Sequence, residues 1–187
     1  MSPSNGNIFE RFRRQRRLRA AISGQHARLY RIAWSWCHDK ARAEDLVQET
    51  LTRALEKMDA LREDSRLDVW ITTILANLFR DQCRRVTPDT GFEDELQSEA
   101  DTPEQALDRL QLGARTRAAI ETLGPEQRQV ITLVDLGDFS YAETASILDV
   151  PVGTVMSRLA RARRRLRGLL EESGIHSAQV VPIRKTP

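Results

Sequence analysis

The stretch from Ser140 to Leu170, SYAETASILDVPVGTVMSRLARARRRLRGLL, decides the fold. Ser140 followed three residues later by Glu143 is the pattern in which a hydroxyl caps a helix and a carboxylate reaches back to the cap. A helix is therefore expected over residues 141–148. Asp149-Val150-Pro151-Val152-Gly153-Thr154 then takes the chain through a short turn, because proline cannot continue a helix and aspartate and glycine favour turns. Beyond the turn, Val155, Leu159, Ala162, Leu166 and Leu169 or Leu170 recur at helical spacing and mark the inner side of a second, basic helix. Helix, tight turn and helix in this order make a helix-turn-helix.

On the outer side of that second helix lie Thr154, Ser157, Arg158, Arg161 and Arg165, the first of them near the helix start, where a recognition helix meets base edges. An arginine there either grips guanine through two hydrogen bonds or neutralises a phosphate. Arg163, Arg164 and Arg167 flank this face and suit phosphates. A basic helix also suits a membrane surface or a calmodulin-type partner. Its apolar side lacks Trp and Phe, and the capped helix before it supplies a rigid partner, so DNA is the better fit.

Upstream, Val130, Ile131, Leu133 and Val134 give a core face to a helix from Pro125 to about Leu136, stopped by Gly137-Asp138. Gly124-Pro125 closes an earlier helix near Gly113 to Leu123. The first half of the chain has its own periodic segments. Leu29, Ile32, Ala33 and Trp36 fit a helix over residues 27–37. Ala43, Leu46, Val47, Thr50, Leu51, Ala54, Leu55 and Met58 form a wide buried stripe on another. Its opposite face gathers Asp45, Gln48, Glu49 and Thr52, either a solvated surface or a dock for a basic partner. Leu61 to Asp68 reads as a loop. Trp70, Ile71, Ile74, Leu75, Leu78 and Gln82 then resume a stripe, with Thr73, Asn77, Arg80 and Arg84 in line on the outer face. Those groups can bond bases and phosphates, or be the plain polar surface of a three-helix bundle.

Charge is sorted into blocks behind a formal net charge of only +2. Arg11, Arg13, Arg14, Arg16, Arg17 and Arg19 stand near Glu10 alone, and residues 1–19 read as a basic tail. Asp89, Glu93, Asp94, Glu95, Glu99, Asp101, Glu104 and Asp108 form an acidic block rich in turn residues, read as a flexible linker over 86–109. The expected architecture is all-α: a helical domain at 20–85, the acidic linker, a helix-turn-helix domain at 110–172 and a tail at 173–187. Aromatics at 5% point to small cores of Leu, Ile, Val and Ala. Neither a secretory signal nor a membrane span is visible, which predicts a cytoplasmic protein. Cys37 and Cys83 lie far apart without metal-ligand spacing and are expected to be buried thiols. No metal, no cofactor and no His, Cys and carboxylate constellation of an enzyme is indicated.

Five motifs occur in order: RLYRIA at 28–33, AEDLVQETLTRAL at 43–55, LANLFRDQCRR at 75–85, LGPEQRQVITL at 123–133 and FSYAETASILDVPVGTVMSRLARARRRLR at 139–167. Together they resemble the extracytoplasmic-function sigma factors of bacterial RNA polymerase. The resemblance implies that Asp45, Gln48 and Glu49, with Thr52 on the same face, dock on a coiled coil of core RNA polymerase. It assigns the loop Asp64 to Asp68, including Ser65 and Arg66, and Asn77 to capture of a flipped base at the minus-ten element, with Thr73, Arg80 and Arg84 nearby. Thr154, Ser157, Arg158, Arg161 and Arg165 would read the minus-thirty-five element of promoter DNA. An anti-sigma factor is the implied controlling partner. Two other readings are a sigma mimic that only sequesters an anti-sigma factor, and a helix-turn-helix repressor. The first predicts degraded nucleic-acid faces, and the second has no need of the DLVQET helix.

Overall fold

A computed structural model describes residues 5–86, 119–120 and 122–172. Its regular elements are all helical: α1 Asn5–Ser23, α2 His26–Cys37, α3 Lys40–Glu56, α4 Leu67–Val86, α5 Pro125–Ile131, α6 Tyr141–Leu148 and α7 Val152–Glu172. Short 3-10 turns at Met58–Ala60 and Asp64–Arg66 join α3 to α4, and a π-helical turn, Thr132–Leu136, extends α5. The acidic block, nearly all of the helix expected at 113–123 and the segment 173–187 lie outside the described residues.

The arginine-rich segment read as a tail is helical from Asn5, and Leu18 and Ile22 on it are buried in the core. On α2, Leu29, Ile32, Ala33 and Trp36 are all buried, as the spacing requires. Asp39 caps α3 by accepting from the Arg42 amide. Leu55 departs from the expected stripe and is exposed, whereas Met58 is buried.

α4 departs further. Trp70 and Ile74 are only half-buried, while Thr72 and Ala76 are buried beside Ile71, Leu75, Leu78 and Phe79. The cause is a second packing partner: α4 lies against α3 and also against α6. That widens its buried arc to about half of the helix circumference, since each residue advances about 100°.

The buried residues of both halves form one continuous cluster. Polar links among the described residues cross between the halves. The Ser35 and Thr132 hydroxyls pair at 2.8 Å in a buried position. Arg128 donates to the Trp36 carbonyl at 3.3 Å. Arg28 on α2 donates to Asp68 on α4 and, at 2.6 Å, to the Gly137 carbonyl, with its guanidinium 4.6 Å from the centre of the Phe139 ring. Gly137 has no room for a side chain, because a Cβ would stand 2.7 Å from the Leu133 carbonyl and 2.9 Å from the Phe139 ring. Of the two thiols, Cys37 is buried and burial pushes its pKa up to about 11, whereas Cys83 is exposed, contrary to the sequence expectation.

The expected capping box is present at α6. Ser140 accepts from the Glu143 amide at 3.2 Å, while the Ser140 amide donates to the Glu143 carboxylate at 2.8 Å and the hydroxyl at 2.7 Å. These bonds, the hydroxyl's first, lower the Glu143 pKa below its ordinary 4.5. A depressed carboxylate pKa stabilises the fold above the unfolded value and loses that contribution as pH falls through the folded value. Ser140→Ala should therefore cost about 1 kcal/mol at neutral pH. The gap between variant and parent in chemical denaturation should narrow below pH 4.5, leaving the part due to the Glu143 amide.

Candidate functional site

Three groups of polar side chains face solvent on three different helices. The first is on α3, whose buried residues Ala43, Leu46, Val47, Thr50 and Ala54 turn Asp45, Gln48, Glu49 and Thr52 outward, and all four are exposed. Neighbours order this face. Gln48 Nε2 donates to Glu44 at 2.8 Å, Arg53 pairs with Glu49 at 2.6 Å, and the Thr52 hydroxyl donates back to the Gln48 carbonyl at 2.9 Å. Hydrogen bonds from Gln48 and then His26 hold the Glu44 carboxyl below its usual range. Glu44 and Arg53 escaped the sequence reading although each sits one helical turn from a predicted member, the spacing that signals a surface pair.

The second group lies on α4 and the turn before it. Asn77 is exposed, with Thr73 and Arg80 half-buried at its sides. Arg80 Nη2 donates to Asn77 Oδ1 at 2.6 Å, and the Thr73 hydroxyl is turned back to the Val69 carbonyl at 2.8 Å. Arg84 is exposed, 3.9 Å from Asp81. Thr73, Asn77, Arg80 and Arg84 thus share one face, as their spacing predicted. In the preceding turn Ser65 and Arg66 are exposed, while Asp64 is taken by Arg14 of α1 at 2.8 Å and 3.0 Å. Asp68 belongs to the first turn of α4 rather than to a loop and receives Gln25 and Arg28. Neither partner was legible, because the contacts span forty residues or more.

The third group is on α7. Val155, Leu159 and Ala162 are buried against the other helices, and Asp149 turns the chain before α7 in a left-handed conformation at φ 55°. Ser157, Arg161 and Arg165 are exposed and Thr154 is half-buried. Arg158 differs from the expectation of a free outer residue: only 20% of its side chain is exposed, and it pairs with Glu126 of α5 at 2.7 Å. Arg163 is likewise held by Asp135 at 2.6 Å, which raises its pKa. Arg164 and Arg167 are exposed. The result is a helix-turn-helix whose second helix presents a hydroxyl and guanidinium surface, with Arg158 and Arg163 each held by a carboxylate.

The chain carries two family signatures in the same order as these groups. Residues 22–87 match Sigma-70 region 2, and residues 114–166 match Sigma-70, region 4. It is 42% identical over 138 residues to the ECF RNA polymerase sigma factor EcfG of Rhodopseudomonas palustris, covering 71% of this chain and 74% of the relative. It is 35% identical over 163 residues to the ECF RNA polymerase sigma factor SigE of Mycolicibacterium smegmatis, covering 83% of this chain but only 62% of that longer protein. Among solved structures it resembles the sigma factor RpoE of Bartonella quintana, determined in complex with the anti-sigma factor NepR, with a TM-score of 0.63 and 30% identity over 81% of this chain and 95% of that one. CnrH, determined in complex with the cytosolic domain of CnrY, gives a TM-score of 0.62 at 26% identity over 84% of this chain and 90% of its own. Sequence signatures, relatives and fold agree, and the chain belongs to the ECF RNA polymerase sigma factors.

Proposed function

We propose that this chain is an alternative sigma factor that binds core RNA polymerase, carries it to promoters and opens the DNA there, while the polymerase performs the chemistry. The observation that supports this best is the exposed Asn77, held by Arg80 on α4, in the same molecule as a capped helix-turn-helix. A repressor would need only the second. Residues 20–85 then act as the region-2 unit and residues 110–172 as the region-4 unit, joined by the acidic segment 86–109. Work with RNA polymerase places the protein in the cytoplasm; among the described residues no helix is long and apolar enough to cross a membrane. An anti-sigma factor is the controlling partner, as for the similar sigma factor RpoE, solved with the anti-sigma factor NepR.

On this reading Asp45, Gln48, Glu49 and Thr52 meet the polymerase. Asn77 bonds an unstacked base of the minus-ten element, and Ser65, Arg66, Thr73, Arg80 and Arg84 surround it, with Asp64 acting through Arg14. Binding of that base offsets the few kcal/mol that unstacking costs. Thr154, Ser157, Arg158 and Arg161 meet the major groove of the minus-thirty-five element and Arg165 its phosphates. Elements about 25 base pairs apart are separated by roughly 85 Å at 3.4 Å per base pair. Packed helices stand only about 10 Å apart, so α4 and α6 must separate for both elements to be read at once. The roughly 30 residues between Val86 and Ala119 can reach about 100 Å when extended, which allows it.

Reconstitution with core polymerase tests the reading. The chain should direct specific initiation from genomic fragments. Asn77→Ala should lower promoter opening, followed by permanganate reactivity, by about tenfold for a lost contact of 1–3 kcal/mol, with core binding unchanged. A chain that bound duplex DNA but neither bound core nor directed transcription would be a repressor. A second prediction concerns Arg158. Glu126→Gln frees Arg158 from a pair whose carboxylate side is solvated, worth about 1 kcal/mol. Duplex affinity measured by fluorescence anisotropy should therefore rise, by no more than about fivefold.

A further inference from the structure

Apart from Arg14, which holds Asp64, none of the roles above uses α1, yet α1 is built into the particle beside the minus-ten turn. Leu18 and Ile22 fix it in the core. Gln15 donates to Asp59 at 3.2 Å, and Arg14 reaches both the Leu61 carbonyl at 2.6 Å and Asp64. These bonds clamp the helix to the two 3-10 turns between α3 and α4. Arg14 also neutralises a carboxylate that would otherwise repel a nucleic-acid strand lying against that turn.

The opposite face of α1 has no partner among the described residues. Phe9, Arg13, Arg16 and Ala20 follow at spacings of four, three and four, so they share the side turned away from Leu18 and Ile22. Phe12 and Arg17 flank them. Phe9 and Phe12 are 68% and 66% exposed, and Arg13, Arg16 and Arg17 are exposed without a hydrogen bond or ion pair to a described residue. Arg62 and Arg66, before and in the second 3-10 turn, are exposed as well, beside the exposed acids Glu63 and Asp64. From Asn5 to Arg14 the helix projects about 13 Å beyond its clamp, at 1.5 Å per residue.

We propose that this face of α1 is a further DNA contact, a rail of arginines and phenylalanines that carries the strand leading away from the base held at Asn77. The inference rests on the minus-ten reading given above. Interleaved cations and aromatic rings fit a single strand, because arginine neutralises phosphate while a phenylalanine ring stacks on an unpaired base. A membrane is the poorer fit. Interfacial helices separate an apolar face from a basic one, whereas here both phenylalanines stand among the arginines and the apolar side is buried in the protein. The chain's own acidic segment at 89–108 is the other anionic candidate, but carboxylates leave the two exposed rings without a role.

The test uses holoenzyme assembled from the full chain and core polymerase. Arg13→Gln, Arg16→Gln and Arg17→Gln are combined; these side chains make no hydrogen bond or ion pair to a described residue, so circular dichroism should not change. Binding is followed against salt on a fork probe, single-stranded through the minus-ten element, and on the same sequence as full duplex. Single-strand phosphate contacts contribute about 0.7 each to the salt slope, so the slope on the fork should fall by about 2, with the duplex nearly unaffected. A photoreactive benzoylphenylalanine at Phe9 should crosslink to the unpaired strand. An equal fall on both probes overturns the assignment to the melted strand. An unchanged slope with crosslinks to residues 89–108 gives the face to the acidic segment and overturns the proposal. Asn77→Ala separates this failure from that of the underlying reading: fork binding lost in Asn77→Ala but kept in the triple variant defeats the rail alone, whereas fork binding kept in both defeats the minus-ten assignment as well.

Discussion

The guanidinium of Arg28 is the constraint around which the two halves of the molecule are registered. It leaves α2, bonds the carboxylate of Asp68 in the first turn of α4, reaches across to the Gly137 carbonyl and lies over Phe139 at the entry to the helix-turn-helix. A cation this enclosed, with 25% of its side chain exposed, is costly unless paired, so all three contacts have to be satisfied together. Phe139 in turn is seated by the hydrogen bond its backbone N–H donates to the Leu133 carbonyl, at a point where only glycine fits at 137. The buried Ser35 and Thr132 pair adds a second fixed point, because losing either hydroxyl strands the other without water. Apolar packing between α4 and α6 supplies attraction, and these polar links decide the register.

The packing leaves the working faces outside. α4 is gripped on two sides, by α3 and α6, and the half of its circumference that remains carries Thr73, Asn77, Arg80 and Arg84. α3 buries its small and branched residues and shows Asp45, Gln48, Glu49 and Thr52. α7 buries Val155, Leu159 and Ala162 and shows Ser157, Arg161 and Arg165. The same amphipathic logic that forms each helix therefore selects which side chains can meet polymerase or DNA.

Much of this was legible in the sequence, for a physical reason. α2, α3 and α7 carry strong 3.6-residue periodicity, and α6 is announced by the Ser140 and Glu143 cap, a local motif whose geometry depends on residues only three apart. What was not legible depends on contacts between distant segments. α1 reads as a tail because six arginines dominate it, while Leu18 and Ile22, which anchor it in the core, give no sustained stripe. Thr72 and Ala76 are buried because α6 arrives from the other half, and their own stripe gives no sign of that. The pairings of Arg14 with Asp64 and of Arg158 with Glu126 change what those residues offer to DNA. Both join different helices or turns, so a periodicity reading sees only exposed charge. Cys83 was misread for a related reason, since it sits near the end of α4, where burial declines.

On the proposed function one chain carries two DNA-reading surfaces, packed together here and working far apart on the promoter. The most direct measurement is the distance between them. Dyes at Glu56 and Arg167, both exposed, with Cys83 replaced by serine, report it by energy transfer in the free chain and again in the complex with core polymerase and promoter. The account predicts efficient transfer in the free chain and its near-complete loss on promoter binding, as the readers move toward a separation of roughly 85 Å, about 25 base pairs at 3.4 Å each. Unchanged efficient transfer in a complex that initiates transcription would contradict it.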